Sequence, residues 1–128
     1  MKYRSLKQEL ARAIRDYVPR AATLVVVSKG DDDLLHIHEG PAWHFPQAPG
    51  GAYAGYYPAD SAEAIRHLDA LCAQEGDYIL FPHTAFWWLE HYVEFRDHLH
   101  HHYRLAHGDE RFRIFELSCR KEPPVEAA

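Results

Sequence analysis

Histidine is the residue type with the widest chemical potential in this chain, which has eleven histidines among 128 residues. His36 and His38 are separated by one apolar residue, and on a β-strand that spacing brings both imidazoles to one face. Two imidazoles on one face can begin a metal site. Further ligands could come from Asp31, Asp33, His44 or His83. Because nothing in the sequence fixes a third ligand, we interpret the pair as solvent-facing residues of an edge strand and predict no metal.

A second histidine-rich group lies in a segment that we predict to be helical. Its members follow one another at helical steps of four, three, four and four along one flank: Trp87, His91, Glu94, His98 and His102. No second element is predicted to support these side chains as metal ligands, so a solvated face is the simpler interpretation. Trp88 belongs to the apolar stripe of the same helix and is expected in the core, whereas Trp87 could offer a stacking platform.

Catalytic and cofactor motifs are missing from the sequence. Ser28 and Ser61 lie outside any GxSxG elbow. No GxGxxG follows the first predicted strand, and no GxxxxGK[ST] motif occurs. The sequence therefore predicts no cofactor and no catalytic residue, and it argues against dinucleotide binding.

Composition narrows the possible partners and location. The formal net charge of −5 is unfavourable for binding a phosphate backbone, so nucleic acid is not expected as a partner. No apolar run approaches the roughly 20 residues that span a bilayer, and the charged N-terminus lacks an apolar signal core. Two cysteines without a CxxC pair favour reduced thiols, so we predict a cytoplasmic protein.

Apolar periodicity and turn residues predict the following elements. The predicted helices are 3–17, 61–74 and 85–101. The predicted strands are 23–28, 34–38, 77–81, 103–107 and 112–118. Pro19 should end the first helix, Asp60 with Glu63 should cap the second, and Thr84 should cap the third. The stretch 42–59 has no period and is expected to be an irregular loop.

These elements predict a Rossmann-like α/β fold. It would be a three-layer sandwich with a mostly parallel sheet, two successive strand–helix–strand units with right-handed crossovers, and a C-terminal antiparallel hairpin. Residues 1–19 would form a helix packed on the domain, 20–120 the domain itself, and 121–128 a flexible tail or linker.

The site is expected beyond the carboxyl ends of the parallel strands, where open α/β sheets bind ligands. Two predicted helix N-termini and the 42–59 loop meet at that edge, and their free N–H groups favour anions or polar oxygens. The predicted ligand-binding residues are Asp31, His44, Gln47, Tyr56, Asp60, His83 and Thr84. Asp60 and Thr84 have the simpler alternative role of capping their own helices.

Four segments of the chain carry a family resemblance. They are LVVVSKGDDDLL at 24–35, AWHFPQ at 42–47, YAGYYPADSAEAIRHLDAL at 53–71 and GDYILFPHTAFWWLEHYVEFRDHLHHHYRL at 76–105. Together they resemble a bacterial domain that accompanies large predicted glycosyltransferases and related sugar- or sulfate-transfer polypeptides. The resemblance covers about residues 20–118 and implies no catalytic residue set. His83 departs from it, since the family carries a smaller residue there.

The resemblance implies a non-catalytic accessory or ligand-binding module of bacterial glycan or cell-envelope biosynthesis. Its ligand would be a sugar or nucleotide sugar, or its partner a glycosyltransferase-type domain. One alternative is a small enzyme that uses His44 or His83 with Asp31 or Asp60 as acid and base, or a metal held by His36 and His38. Another is a protein-interaction module that uses Trp87 and the histidine-rich flank.

Overall fold

The computed structural model describes residues 3–28, 32–47, 55 and 57–117. Its helices are α1 (Tyr3–Tyr17), α2 (Ser61–Ala73), α3 (Trp87–His91) and α4 (Val93–His102), with 3-10 helices at Asp32–Ile37 and His83–Ala85. Its strands are β1 (Leu24–Val26), β2 (Ala42–His44), β3 (Tyr78–Pro82), β4 (Arg104–Gly108) and β5 (Phe112–Glu116).

The five strands form one mixed sheet in the order β2-β1-β3-β5-β4. β1 is parallel to both β2 and β3, whereas β5 is antiparallel to both β3 and β4. Val26 lies opposite His44 on one side and Leu80 on the other, so the carboxyl ends of the three parallel strands meet at one edge. The α/β class and the C-terminal antiparallel hairpin are thus confirmed.

Apolar side chains alternate between the two faces of the sheet. Val25 and Ile79 belong to a core cluster that includes residues of α2, α3 and α4. Val26 and Leu80 belong to a second cluster that includes residues of α1. Because both faces of the central strands are covered, these strands read as continuous apolar runs in the sequence.

Helices α1 and α2 form where the periodicity predicted them. α1 spans Tyr3–Tyr17 and stops before Pro19, as proline requires. At the start of α2, Asp60 Oδ1 accepts the Glu63 N–H at 2.9 Å, and Glu63 Oε1 accepts the Ala59 N–H at 3.0 Å. Asp60 is thus confirmed as the N-cap, whereas the Glu63 side chain accepts the N–H of the residue before the N-cap instead of that of Asp60.

The strand predicted at 34–38 is wrong. Residues Asp32–Ile37 form a 3-10 helix instead, in which Leu34 is buried against the α1-side core and His36 is exposed. The second strand lies further along, at Ala42–His44, inside the stretch predicted to be irregular. The 3-10 helix therefore belongs to the connection between parallel strands β1 and β2, a connection that needs a dozen or more residues.

The helix predicted over 85–101 is divided. Tyr92 has φ −100° and ψ 80°, which ends α3 before α4 begins. The cap predicted at Thr84 is also wrong, because Thr84 lies in a 3-10 turn and Phe86 occupies the N-cap position of α3 without a side-chain hydrogen bond. The apolar stripe survives the break, since all four of its members are buried: Trp88, Tyr92, Phe95 and Leu99.

Two further observations bear on the sequence predictions. No helix in the described part of the chain is long and apolar enough to cross a bilayer. Cys72 is buried and disulfide-bonded, which differs from the reduced thiols predicted. The other cysteine of the chain, Cys119, and the predicted tail at 121–128 lie outside the described residues.

Candidate functional site

A cleft of about 340 Å³ opens at the carboxyl edge of the parallel strands. We call it the carboxyl-edge cleft. Its lining comes from the segment after β2, the segment before α2 and the first two turns of α2: Pro46, Pro58, Glu63, Arg66 and His67. The cleft thus combines two rigid proline rings with three polar side chains.

One wall is set by the chain as it leaves β2. The Phe45 N–H donates to Val26 O at 2.9 Å, which continues the pairing with β1 by one residue. The Phe45–Pro46 peptide bond is cis, and the chain then turns toward α2. The Gln47 N–H donates to His67 Nε2 at 3.3 Å, and the Phe45 ring lies 5.0 Å from the His67 ring. Helix α2 therefore holds this wall through one histidine.

The opposite wall is the segment 57–59. The Tyr92 hydroxyl donates to Pro58 O at 2.7 Å, which ties the wall to the break between α3 and α4. Burial raises the pKa of Tyr92, and the charge of Glu63 raises it further, so the hydroxyl stays a neutral donor. Glu63 meanwhile accepts the Ala59 N–H, so its carboxylate serves both the cleft and the start of α2.

His67 and Arg66, two of the polar side chains in the cleft, differ in their hydrogen bonding. Burial lowers the pKa of His67, and the charge of Glu63 opposes this shift. The ring is therefore neutral at pH 7, with its proton on Nδ1, because Nε2 accepts a hydrogen bond. Arg66 is exposed, and within the described residues its guanidinium has no ion pair or hydrogen bond. Arg66 is thus available to a ligand.

Aromatic rings lie next to the cleft wall that contains Pro58. Tyr57 is 46% exposed and meets the Trp87 ring edge-on at 4.9 Å. Trp88 lies behind them, 5.6 Å from Phe45 and 5.0 Å from Tyr92. Trp88 Nε1 is the one fully buried side-chain nitrogen or oxygen among the described residues without a hydrogen-bond partner. Buried polar groups are normally paired, so this donor calls for an explanation.

His44 lies at the predicted edge but not in the cleft. It is buried, and its Nδ1 is 2.5 Å from Ser28 Oγ. Residues that pair in register share a face of the sheet, and His44 pairs with Val26, whose side chain belongs to the α1-side core. Phe45, which leads into the cleft, belongs to the opposite core cluster.

The other predicted site residues are dispersed along the same edge. Gln47 and Asp60 do not line the cleft, but each is hydrogen-bonded to a residue that does, Gln47 to His67 and Asp60 to Glu63. His83 follows β3 and is exposed, and its N–H donates to Arg111 O at 2.8 Å. Thr84 lies in the adjoining 3-10 turn. Asp31 and Tyr56 are outside the described residues.

The histidine pairing considered for a metal does not form. His38 is buried, with Nε2 2.7 Å from Ala22 O, next to the start of β1 and so at the opposite edge from His44. His36 is exposed. On the helical flank, His98 Nε2 lies 2.9 Å from Asp69 Oδ1 instead. Across residues 3–28, 32–47 and 57–117, no three histidine, cysteine or acidic side chains are placed to hold a metal ion.

Three contributors to this edge escaped the sequence interpretation: Ser28, Arg66 and His67. Ser28 was set aside because it lies in no known motif, and its contact with His44 joins different strands. Arg66 and His67 follow Glu63 by three and four residues, so they share a helix face with it. That spacing, at the N-terminus of a helix opening on the expected edge, was a usable signal.

The arrangement can bind a ligand through ring stacking, one free cation and a carboxylate. Comparison with protein-family models, with curated proteins and with solved structures finds no match to this chain.

Proposed function

We propose that this chain is a non-catalytic ligand-binding module that takes a sugar or nucleotide sugar in the carboxyl-edge cleft. It would serve bacterial glycan or cell-envelope biosynthesis beside a glycosyltransferase-type partner domain. The observation that carries the proposal is the unpartnered, fully buried N–H of Trp88, whose ring lies 5.6 Å from Phe45 and 6.4 Å from Tyr57, next to the cleft-lining residues Pro46 and Pro58 in the sequence. An unpaired buried donor costs about 1–3 kcal/mol, which an accepting oxygen of a ligand would recover.

The chemistry of the cleft favours an oxygen-rich ring. At about 340 Å³ it is at the small end of ligand sites, which suits one sugar unit. The partly exposed Tyr57 and Trp87 rings supply apolar faces of the kind that stack on sugar rings. Glu63 offers an acceptor for hydroxyl groups, and Arg66 offers donors that could reach a phosphate of a nucleotide sugar.

Two finer features belong to the same proposal. The layers would be α1, the sheet and the group of α2, α3 and α4, which makes a three-layer sandwich supported by the two core clusters. A cytoplasmic location remains our proposal, and the disulfide at Cys72 weighs against it, since disulfides are rare in reducing compartments.

Indole NMR signals give a direct test. The chain has three tryptophans, so an ¹⁵N-labelled sample should show three indole N–H signals, one of which is lost in Trp88→Phe. We expect a panel of sugars and nucleotide sugars to contain a ligand that shifts the Trp88 signal in a saturable way. A panel that leaves all three indole signals in place would overturn the proposal.

Charge variants provide the matched comparison. Arg66→Gln removes the free cation of the cleft, and we expect it to weaken binding of a nucleotide sugar by about tenfold, as for one lost charge-assisted hydrogen bond. Arg12→Gln removes an equally exposed arginine from α1 and should leave the affinity unchanged. Equal affinity of the two variants for the nucleotide sugar would show that Arg66 does not contribute to the site.

A second candidate is a small enzyme, favoured by the 2.5 Å contact between Ser28 Oγ and His44 Nδ1. A serine beside a histidine base is the arrangement of an activated nucleophile, and this pair lies at the carboxyl edge, with His44 as the last residue of β2 and Ser28 two residues after β1. A fluorophosphonate probe would label an activated Ser28, and labelling would vanish in Ser28→Ala but persist in Ser61→Ala. Absence of labelling in the native protein rules this candidate out.

A further inference from the structure

A second cleft lies at the amino edge of the sheet, opposite the carboxyl-edge cleft. It has a volume of about 230 Å³ between the last turns of α1 and the segment after the first 3-10 helix. We call it the amino-edge cleft, and it is lined by Ile14, Arg15, Val18, Pro19, Arg20, His38 and Glu39. Its position follows from two hydrogen bonds at the starts of β1 and β2: His38 to Ala22 O and the Leu24 N–H to Pro41 O.

His38 presents an acceptor to this cleft. Its side chain is more than nine-tenths buried, and Nε2 lies 2.7 Å from Ala22 O. A carbonyl oxygen only accepts, so Nε2 carries the proton and Nδ1 of the neutral ring is an acceptor. His38 has no other hydrogen bond within the described part of the chain. His38 lines the amino-edge cleft, so Nδ1 is the ring atom that we assign to a ligand there.

Two chain segments approach each other closely beside His38. A Cβ at Gly40 would lie 2.0 Å from Arg20 O and 2.8 Å from His38 Nε2. Only glycine permits this approach of two chain segments. The segment that follows His38 therefore packs directly on the segment that follows α1, and both segments contribute to the cleft lining.

The remaining lining defines what could bind. Ile14, Val18 and Pro19 form an apolar floor. Arg20 is paired with Glu39, whereas Arg15 is exposed and has no ion pair among the described residues. The cleft thus combines the Arg15 cation, the His38 imidazole and an apolar surface. Its volume is below the usual range for drug-sized ligands, so the occupant must be small.

We propose that the amino-edge cleft binds a small hydroxycarboxylic acid with a short apolar side chain. The carboxylate pairs with the Arg15 guanidinium, the hydroxyl donates to His38 Nδ1, and the apolar side chain covers the floor. This site is separate from the carboxyl-edge cleft and does not depend on the function proposed there.

The test uses 2-hydroxyisovalerate as the probe and isovalerate, which lacks the hydroxyl, as its matched partner. Each acid is titrated into the ¹⁵N-labelled full chain to about 20 mM, well above the millimolar Kd expected for so small a ligand. We expect saturable amide shifts in the last turns of α1 and around His38, with isovalerate binding several-fold more weakly. No saturable shift with 2-hydroxyisovalerate, or equal affinity for the two acids, would overturn the proposal.

Variants of α1 locate the carboxylate. Arg15→Gln should lower the affinity for 2-hydroxyisovalerate by about tenfold, as expected for the loss of one charge-assisted hydrogen bond. Arg12→Gln, three residues earlier on the same helix, should bind like the native chain, because Arg12 does not line this cleft. Both arginines are exposed, so neither change should disturb folding, and the amide spectra of the free variants verify this. Equal weakening in both variants shows only a general charge effect and contradicts the proposal.

Discussion

At the scale of single residues, His67 joins the carboxyl-edge cleft to the fold through a nitrogen that must stay unprotonated. Nε2 accepts the Gln47 N–H, and burial lowers the pKa of the ring. A protonated ring would carry N–H groups at both nitrogens, so the hydrogen bond that positions the β2 exit would be lost. The geometry of the cleft wall therefore depends on pH.

This dependence has a definite sign. The pKa of His67 is lower in the folded chain than the ordinary value of 6.5, so the unfolded chain takes up a proton first as pH falls. The stabilisation is complete above about pH 6.5 and is lost as pH falls below that value toward the folded pKa. We expect the free energy of unfolding, measured with urea from about pH 7.5 to about pH 5.5, to fall more steeply in the native chain than in His67→Gln.

His91→Gln is the matched control, because His91 is exposed and does not line the cleft, and the profile of this variant should follow the native chain. If His67→Gln and His91→Gln retain the same pH dependence as the native chain, the hydrogen bond to Gln47 does not constrain His67.

Gly40 gives a second residue-scale prediction. Gly40→Ala places a methyl group where Arg20 O and His38 Nε2 already lie, at 2.0 and 2.8 Å. The backbone carbonyl cannot move aside as a side-chain tip would, so we expect a loss of about 1–3 kcal/mol in the free energy of unfolding. Gly108→Ala is the control, because its nearest neighbour would be a flexible Leu105 methyl at 3.3 Å. Similar losses for the two variants, measured by urea denaturation, would mean that the close approach is not required.

At the scale of elements, Asp69 connects α2 to α4 and to the start of the hairpin. Its Oδ1 accepts the Tyr103 hydroxyl at 2.7 Å and lies 2.9 Å from His98 Nε2. Burial raises the pKa of Tyr103, and the hydrogen bond to Asp69 raises it further, so the hydroxyl remains a donor through the physiological range. One carboxylate thus fixes the packing of two helices on the α2 side of the sheet.

Removing the hydroxyl measures this connection. We expect Tyr103→Phe to lower the free energy of unfolding by about 1 kcal/mol, the usual net value of one hydrogen bond. Tyr17→Phe is the matched control, since Tyr17 is 39% exposed and its hydroxyl has no partner among the described residues. Equal values for the two variants in chemical denaturation would show that the hydrogen bond between Tyr103 and Asp69 does not stabilise the fold.

The helices and strands also show which parts of the fold were predictable from the sequence. α1 and α2 were predictable because an apolar stripe, a proline stop and a capping pair are all local signals. β2 was not predictable, since three residues at the sheet edge are defined by backbone pairing with β1 rather than by a side-chain pattern. The stripe over 88–99 was correct, but no breaking residue marks the break at Tyr92, whose hydroxyl bonds to the distant Pro58 O.

The candidate site was likewise predictable only in part. The edge of the sheet was predictable, because parallel strands end together. The side chains at that edge were not, because one residue of register decides whether His44 faces the α1-side core or the cleft. The hydrogen bond between Gln47 and His67 and the unpaired N–H of Trp88 became visible only in the structure.

At the scale of the whole molecule, the disulfide at Cys72 links redox conditions to stability. Cys72 is in α2 and belongs to the same core cluster as Leu117, which lies two positions before Cys119 in the sequence. Within one chain, a disulfide stabilises mainly by restricting the unfolded state, by about 2–4 kcal/mol. The stability of this fold should therefore depend on whether it resides in an oxidising or a reducing compartment.

We expect dithiothreitol to lower the free energy of unfolding of the native chain by about 2–4 kcal/mol and to leave Cys72→Ala unchanged. Gel electrophoresis without reductant decides whether the bond lies within one chain. A band at the monomer position that slows on reduction indicates an internal disulfide, whereas a band at the dimer position indicates a bond between two copies. An unfolding curve of the native chain that is insensitive to dithiothreitol, with a free thiol titrating at Cys72, would show that the disulfide does not form in solution, and it would restore the reduced, cytoplasmic prediction.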